Sequence, residues 1–287
     1  MSGLALALVL SAALVHASWN YLLKKSGGGI GFVWLFGALS TALYCPIAIV
    51  LFYQSAPISP AGWTLIAASG VIHTAYYLLL DRGYRSGDLS VVYPIARATG
   101  PFITIAVAIA FLGERPGPLA LCGAALVIGG AFVLSLGSGR LGAARGAIGR
   151  GIGFALLTGC TIAAYTLVDK QAVSAAAVPP LLFDWSMNLV RLALTTPLAL
   201  RRRGEMARAW REHRRTAIAV ALLNPLSYIL VLTAMAFTPV SYVAPAREIS
   251  ILFAALMGTQ LLYEGQAGRR IACAAAMAAG VILLAVG

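Results

Sequence analysis

The sequence predicts an all-α polytopic membrane protein, with about ten transmembrane helices arranged as two inverted five-helix repeats around a central cavity. Three observations predict it. Of 287 residues, 60% are hydrophobic and only 10% charged, whereas a soluble domain carries roughly 25% charged residues. Apolar runs of spanning length follow one another with short connections, which leaves no room for a sizeable soluble domain. A pair of sequence markers occurs in both halves of the chain.

A span needs about 20 apolar residues, and in lipid each must be helical so that every backbone N–H and C=O finds a partner within its own segment. The first run, 2–23, opens at Ser2 without a preceding basic stretch and is followed by Lys24 and Lys25. That order reads as a true span rather than a cleaved leader. The second, 30–53, starts after Gly27-Gly28-Gly29, and the third, 61–82, starts just past Pro57 and Pro60. The fourth covers 89–112, and Arg115-Pro116 introduces the fifth at 116–137. The sixth covers 150–170, Pro179-Pro180 opens the seventh at 179–200, and the eighth covers 216–237. Thr238-Pro239 precedes the ninth at 239–263, and the tenth covers 267–286. Proline and glycine at these borders are the expected punctuation.

The halves resemble each other. Ser90-Val-Val-Tyr-Pro94 is followed by Arg97 and, seventeen residues later, Glu114. Ser241-Tyr-Val-Ala-Pro245 is followed by Arg247 and, again seventeen later, Glu264. The first span ends Trp19-Asn20-Tyr21-Leu22-Leu23-Lys24 and the sixth ends Tyr165-Thr166-Leu167-Val168-Asp169-Lys170. The expected units are therefore 1–137 and 150–287, joined by a Gly/Arg-rich linker at 138–149. An odd number of spans per unit makes the second copy enter the bilayer from the opposite side, an arrangement common in transporters.

The net charge of +12 would suggest nucleic acid in a soluble chain. Here the cations lie mainly in connections, where they orient spans and meet anionic headgroups, so the partner they imply is the bilayer. Sixteen of the 21 Lys and Arg residues fall on one side, two (Arg115 and Lys170) on the other, and three inside spans. The positive-inside rule then places both termini outside the cytoplasm. Cys45, Cys122, Cys160 and Cys273 stand singly in apolar runs without metal-ligand spacing, which predicts small packing residues. No catalytic set, metal site or cofactor motif is recognised. The composition leaves the oligomeric state open.

Ionisable groups within spans mark candidate chemistry, because each costs roughly 2.5–3.5 kcal/mol at a helix centre. His16 and Asn20 lie four apart on one face, with Trp19 alongside, and His73 and Tyr77 share that spacing. Either histidine binds solute, shuttles protons or packs. In the fourth span Tyr93 and Arg97 sit among Pro94 and Pro101; in the ninth, Pro245 precedes Arg247 and Glu248. Proline frees a carbonyl one turn earlier, so both spans are expected to be broken, with the three prolines as hinges beside a cavity. Arg97 or Arg247 would attract a carboxylate and Glu248 an amine. Asp184, Asn188 and Arg191 form a stripe in the seventh span, which suits pairing between helices as well as solute contact. Tyr76, Tyr165 and Trp185 line a pocket or anchor span ends. Asp81, Arg82, Asp169 and Lys170 lie near span ends and are expected to reach the interface.

His16-Ala-Ser-Trp19-Asn20 with Lys24, His73-Thr-Ala-Tyr76-Tyr77, and Tyr84-Arg85-Ser-Gly87-Asp88-Leu-Ser90-Val-Val-Tyr93-Pro94-Ile-Ala-Arg97 together resemble a bacterial branch of the drug/metabolite transporter superfamily, whose members carry two EamA domains. The resemblance covers essentially the whole chain. It implies ten helices, a central cavity and secondary export or exchange of small metabolites, amino acids first among them, by alternating access. It also implies cytoplasmic termini, opposite to the cation count. The first span lacks the glutamate used by the small multidrug pumps of the superfamily, so their proton-coupled mechanism does not carry over. Carriers of lipid-linked sugars or lipid precursors, and a membrane enzyme or structural subunit, are the rival readings.

Overall fold

The computed structural model describes residues 1–25, 30–86, 89–135, 145–262 and 267–287. Among them the chain forms α1 (Gly3–Lys25), α2 (Ile30–Gln54), α3 (Pro60–Ser86), α4 (Leu89–Phe111), α5 (Pro118–Ser135), α6 (Arg145–Ser174), α7 (Pro180–Leu200), α8 (Arg203–Phe237), α9 (Val240–Ala246), α10 (Ile249–Leu262) and α11 (Ala267–Val286). Among the described residues helix occupies each apolar run. Seven helical stretches among the described residues are long and apolar enough to cross a membrane on length and composition alone, α9 with the start of α10 counting as one. α7 is not among the seven; Asp184, Asn188 and Arg191 lie within it.

The exterior is apolar. Ile47, Ile49, Val50 and Phe52 on α2, Phe102 and Phe111 on α4, and Ile271 and Ile282 on α11 are all exposed. Such a surface would associate in water and is at ease in hydrocarbon.

Helices of the two halves interleave. α1 packs on α8 and α10, as α6 packs on α3 and α4; α2 meets α7, and α5 meets α11. The α5–α11 contact is backbone against backbone. A Cβ on Gly123 would stand 2.6 Å from the Gly280 carbonyl oxygen, and one on Gly280 would stand 2.7 Å from that of Gly123. Small residues permit this approach, and in lipid close packing is a main source of helix association.

Three expectations change. The fourth span is a single helix through Pro94 and Pro101, and only the ninth is interrupted, so those two prolines are not at a break. α4 is held against α6 at Ala96, Thr99 and Gly100, where Gly159 approaches Thr99 and Gly100 approaches Ile162; that packing carries the helix across a missing hydrogen bond. The basic stretch before the eighth span is helical from Arg203, and α8 has one non-helical residue, His213 (φ −131°, ψ 25°). Glu205, Met206, Ala207 and Ala209 are good helix formers, and Gly31 lets the start of α2 press onto Glu205 and Met206. Finally, α6 begins at Arg145, so residues 145–149 of the expected linker belong to a helix; 138–144 lie outside the described residues, as does Glu264.

Candidate functional site

A cavity of about 310 Å³ lies between the halves. Its wall is built from α1, α3, α4, α6, α7, α8 and the α9–α10 junction. His16, Trp19, Asn20, His73, Tyr77, Tyr93, Arg97 and Arg247 all line it. Glu248 does not: it stands behind the two arginines and is 1% exposed.

The α9–α10 break sets this centre. Pro245 lacks an N–H, and the backbone beyond it tightens into shorter-range turns. The Glu248 N–H donates to the Pro245 carbonyl at 3.0 Å and the Ile251 N–H to the Glu248 carbonyl at 2.9 Å. On a regular helix neighbouring side chains diverge by about 100°; at this interruption the consecutive Arg247 and Glu248 both turn inward. Arg97 Nη2 lies 2.9 Å from Glu248 Oε2, and Arg247 Nε lies 3.7 Å from Oε1. Arg97 also donates to Ser250 Oγ at 3.4 Å, and Arg247 to the Tyr165 hydroxyl at 3.0 Å. Each guanidinium faces an aromatic ring, Tyr93 at 6.0 Å for Arg97 and Tyr165 at 5.8 Å for Arg247. Two cations share one enclosed carboxylate, which leaves excess positive charge on the wall.

The aromatic wall is ordered by polar pairs. His73 stacks on Tyr165 with ring centres 4.0 Å apart and meets the edge of Tyr228 at 5.7 Å. His73 Nδ1 is 3.0 Å from the Ser69 carbonyl; a carbonyl only accepts, so this nitrogen carries the hydrogen. Trp19 donates from its indole to Ser227 Oγ at 3.3 Å, and His16 packs edge-on against Trp19 at 4.9 Å. Asn20 donates to the His16 carbonyl at 2.8 Å.

Residues that the sequence offers equally as pocket or as packing, together with Asn224, Ser227 and Tyr228, complete the wall. Tyr76, Tyr165, Asp184, Asn188, Arg191, Asn224, Ser227 and Tyr228 all face the cavity. Arg191 donates to the Tyr77 hydroxyl at 3.2 Å and to the Asn188 side-chain oxygen, while Asn188 donates to Thr41 Oγ1 at 3.0 Å. The i, i+4, i+7 spacing of Asp184, Asn188 and Arg191 was the available signal; which helix faces that stripe was not. Trp185 donates to the Thr41 carbonyl at 2.9 Å and is off the wall.

Asp169 and Lys170 depart from the interfacial reading. Asp169 is fully buried and accepts from the Tyr228 hydroxyl. Lys170 Nζ donates to the carbonyls of Met235 at 2.7 Å and Thr238 at 3.0 Å, which caps the C-terminus of α8. Glu114 accepts from the N–H groups of Val240 at 2.8 Å and Ser241 at 2.9 Å, which satisfies two open donors at the start of α9. The α8–α9 corner is thus gripped from both sides. Asp81 and Arg85, by contrast, form an exposed pair at 2.9 Å.

The sequence model of the EamA-like transporter family matches residues 3–136 and 149–286. The chain belongs to this family. It is a multi-pass membrane protein built of two EamA repeats, and the family's members transport small molecules. A solved crystal structure is similar over 100% of this chain and 98% of its own length, with a TM-score of 0.74 at 14% identity. At that identity the likeness concerns the fold alone. No curated protein matches this EamA-like chain.

Proposed function

We propose that this protein is a secondary transporter that exports or exchanges small polar or amphipathic metabolites, amino acids foremost, by alternating access. The observation that carries the proposal is the cavity between the repeats, with Arg97 and Arg247 on its wall sharing the single carboxylate of Glu248. The excess positive charge suits a carboxylate, and the walls of Trp19, Tyr76, Tyr77, Tyr93, Tyr165 and Tyr228 suit the apolar part of a small solute.

The interleaved pairing of helices supports an inverted relation between the repeats, ten spans in all, and a rocking motion of one group of helices against the other. The sixteen-to-two cation bias supports placing the basic connections in the cytoplasm of a bacterial cell, with both termini outside. Leu23 and Tyr84, in the last turns of α1 and α3 on the basic side, line the cavity, while Glu114 and Lys170 pin the corner at the other end. This state is therefore read as open to the cytoplasm, as an exporter awaiting cargo would be.

Counterflow in liposomes tests the reading. Purified protein, loaded with unlabelled amino acids, is expected to accumulate labelled amino acid from outside, and Arg247→Ala is expected to cut the rate by about tenfold or more. No counterflow with any of a broad metabolite panel would refute transport. Undiminished flux in Arg97→Ala and Arg247→Ala, at equal reconstitution, would refute the arginines' part in it.

A further inference from the structure

Two charges on the cavity wall form no ion pair among the described residues, and both belong to α7; they act on each other only from a distance. Asp184 is 6% exposed and lines the cavity, yet no hydrogen bond or ion pair reaches its carboxylate there. Arg191 has neutral partners only: the Tyr77 hydroxyl, the Asn188 side-chain oxygen and the Tyr77 ring, 5.2 Å away. The other wall arginines differ, because Glu248 stands between them. An enclosed carboxylate without donors is expensive in a bilayer. It is kept where water or a solute supplies what the protein withholds.

The two groups are seven residues apart, on one stripe of α7 and about 10 Å along its axis. Asn188 lies between them and is already committed to Thr41 and Arg191. Tyr76, Tyr228 and Trp19 share the cavity with them, and no guanidinium stands over these three rings among the described residues. Aromatic rings and a carboxylate lining one cavity favour a cation.

We infer that α7 sets the specificity of the cavity: Asp184 receives a cationic group of the cargo, and Arg191, two helical turns away, receives the carboxylate that the positive charge of Arg97 and Arg247 draws into the cavity. The inference rests on the transport reading above and narrows its substrate class to basic amino acids. An α-ammonium sits on the carbon that bears the carboxylate and cannot span two turns. The terminal ammonium of lysine, on its four-carbon stem, reaches.

The test compares lysine with norleucine, which has the same four-carbon side chain without the terminal ammonium. Protein in nanodiscs is titrated with each labelled amino acid, and counterflow of both is measured in liposomes. Lysine is expected to bind at least about tenfold more tightly. In Asp184→Asn the lysine-to-norleucine ratio falls towards one; in Asp184→Glu, which keeps the charge, a preference for lysine persists. Lysine binding no better than norleucine, or a preference that survives Asp184→Asn, overturns the inference. Exchange of norleucine without lysine preference would sink the inference and leave transport standing. Lysine preference in binding, lost in Asp184→Asn, with no exchange of any solute would support the site and sink transport.

Discussion

α4 and the α9–α10 pair start from the same pattern, a serine, a proline four residues on and a charged residue soon after, yet α4 is one helix and its counterpart is two. Proline alone does not explain the difference. α2, α7 and α8 also run through prolines, at Pro46, Pro197 and Pro225. In the α9–α10 pair the interruption falls at Arg247 and Glu248, consecutive charges that both turn to the interior. Aligned on their prolines, Pro94 with Pro245, the repeats place Arg97 opposite Glu248, and these two side chains meet at 2.9 Å. Where a duplicated segment contacts its own counterpart, identical charges would repel; this pair carries opposite ones.

Breaking that pair is expected to have the largest effect. Glu248→Gln leaves two enclosed guanidinium groups without a counter-charge and should cost about 3–5 kcal/mol, seen as a lower unfolding midpoint in detergent. Arg97→Gln should lose less, since Arg247 still faces the carboxylate. In a double-mutant cycle the two changes should be non-additive by about 1 kcal/mol or more; additivity would mean that the repeats are not coupled through this contact.

The next effect concerns how each proline-bearing helix is held. Glu114→Gln removes the charge from the α9 cap and should cost about 1 kcal/mol, with faster hydrogen exchange at the Val240 and Ser241 amides. Unchanged exchange there would dissociate the cap from the stability of α9. At the α5–α11 crossing, Gly123→Ala drives a Cβ towards a backbone carbonyl and should cost about 1–3 kcal/mol, whereas Gly153→Ala meets open space and should be neutral or slightly stabilising by thermal unfolding. The smallest effect is expected at Arg85→Ala: its pair with Asp81 is exposed, and the midpoint should move by less than about 0.5 kcal/mol in free-energy terms.

The candidate site was partly legible before folding. His16 with Asn20, and His73 with Tyr77, were found because four-residue spacing on a helix puts side chains on one face. Asp184 and Arg191 were visible as a stripe, but a stripe does not say whether the facing helix brings a partner or a void. A span ending at residue 170 puts Asp169 at the interface; α6 continues to Ser174, which carries Asp169 more than a turn inward. The basic stretch before the eighth span was read by its charge as a connection, although its side chains favour helix.

Composition and the runs of apolar residues by themselves determined that this chain lives in a bilayer and that those runs are helical. Those properties follow from transfer free energy and from hydrogen bonds within a segment, which are local. Tertiary structure alone decided that Glu248 is withdrawn behind two arginines, that Asp184 has no ion-pair partner among the described residues, and that Glu114 and Lys170 hold one corner. Those are contacts between segments far apart in sequence, and the energy of a buried charge depends on what packing sets beside it.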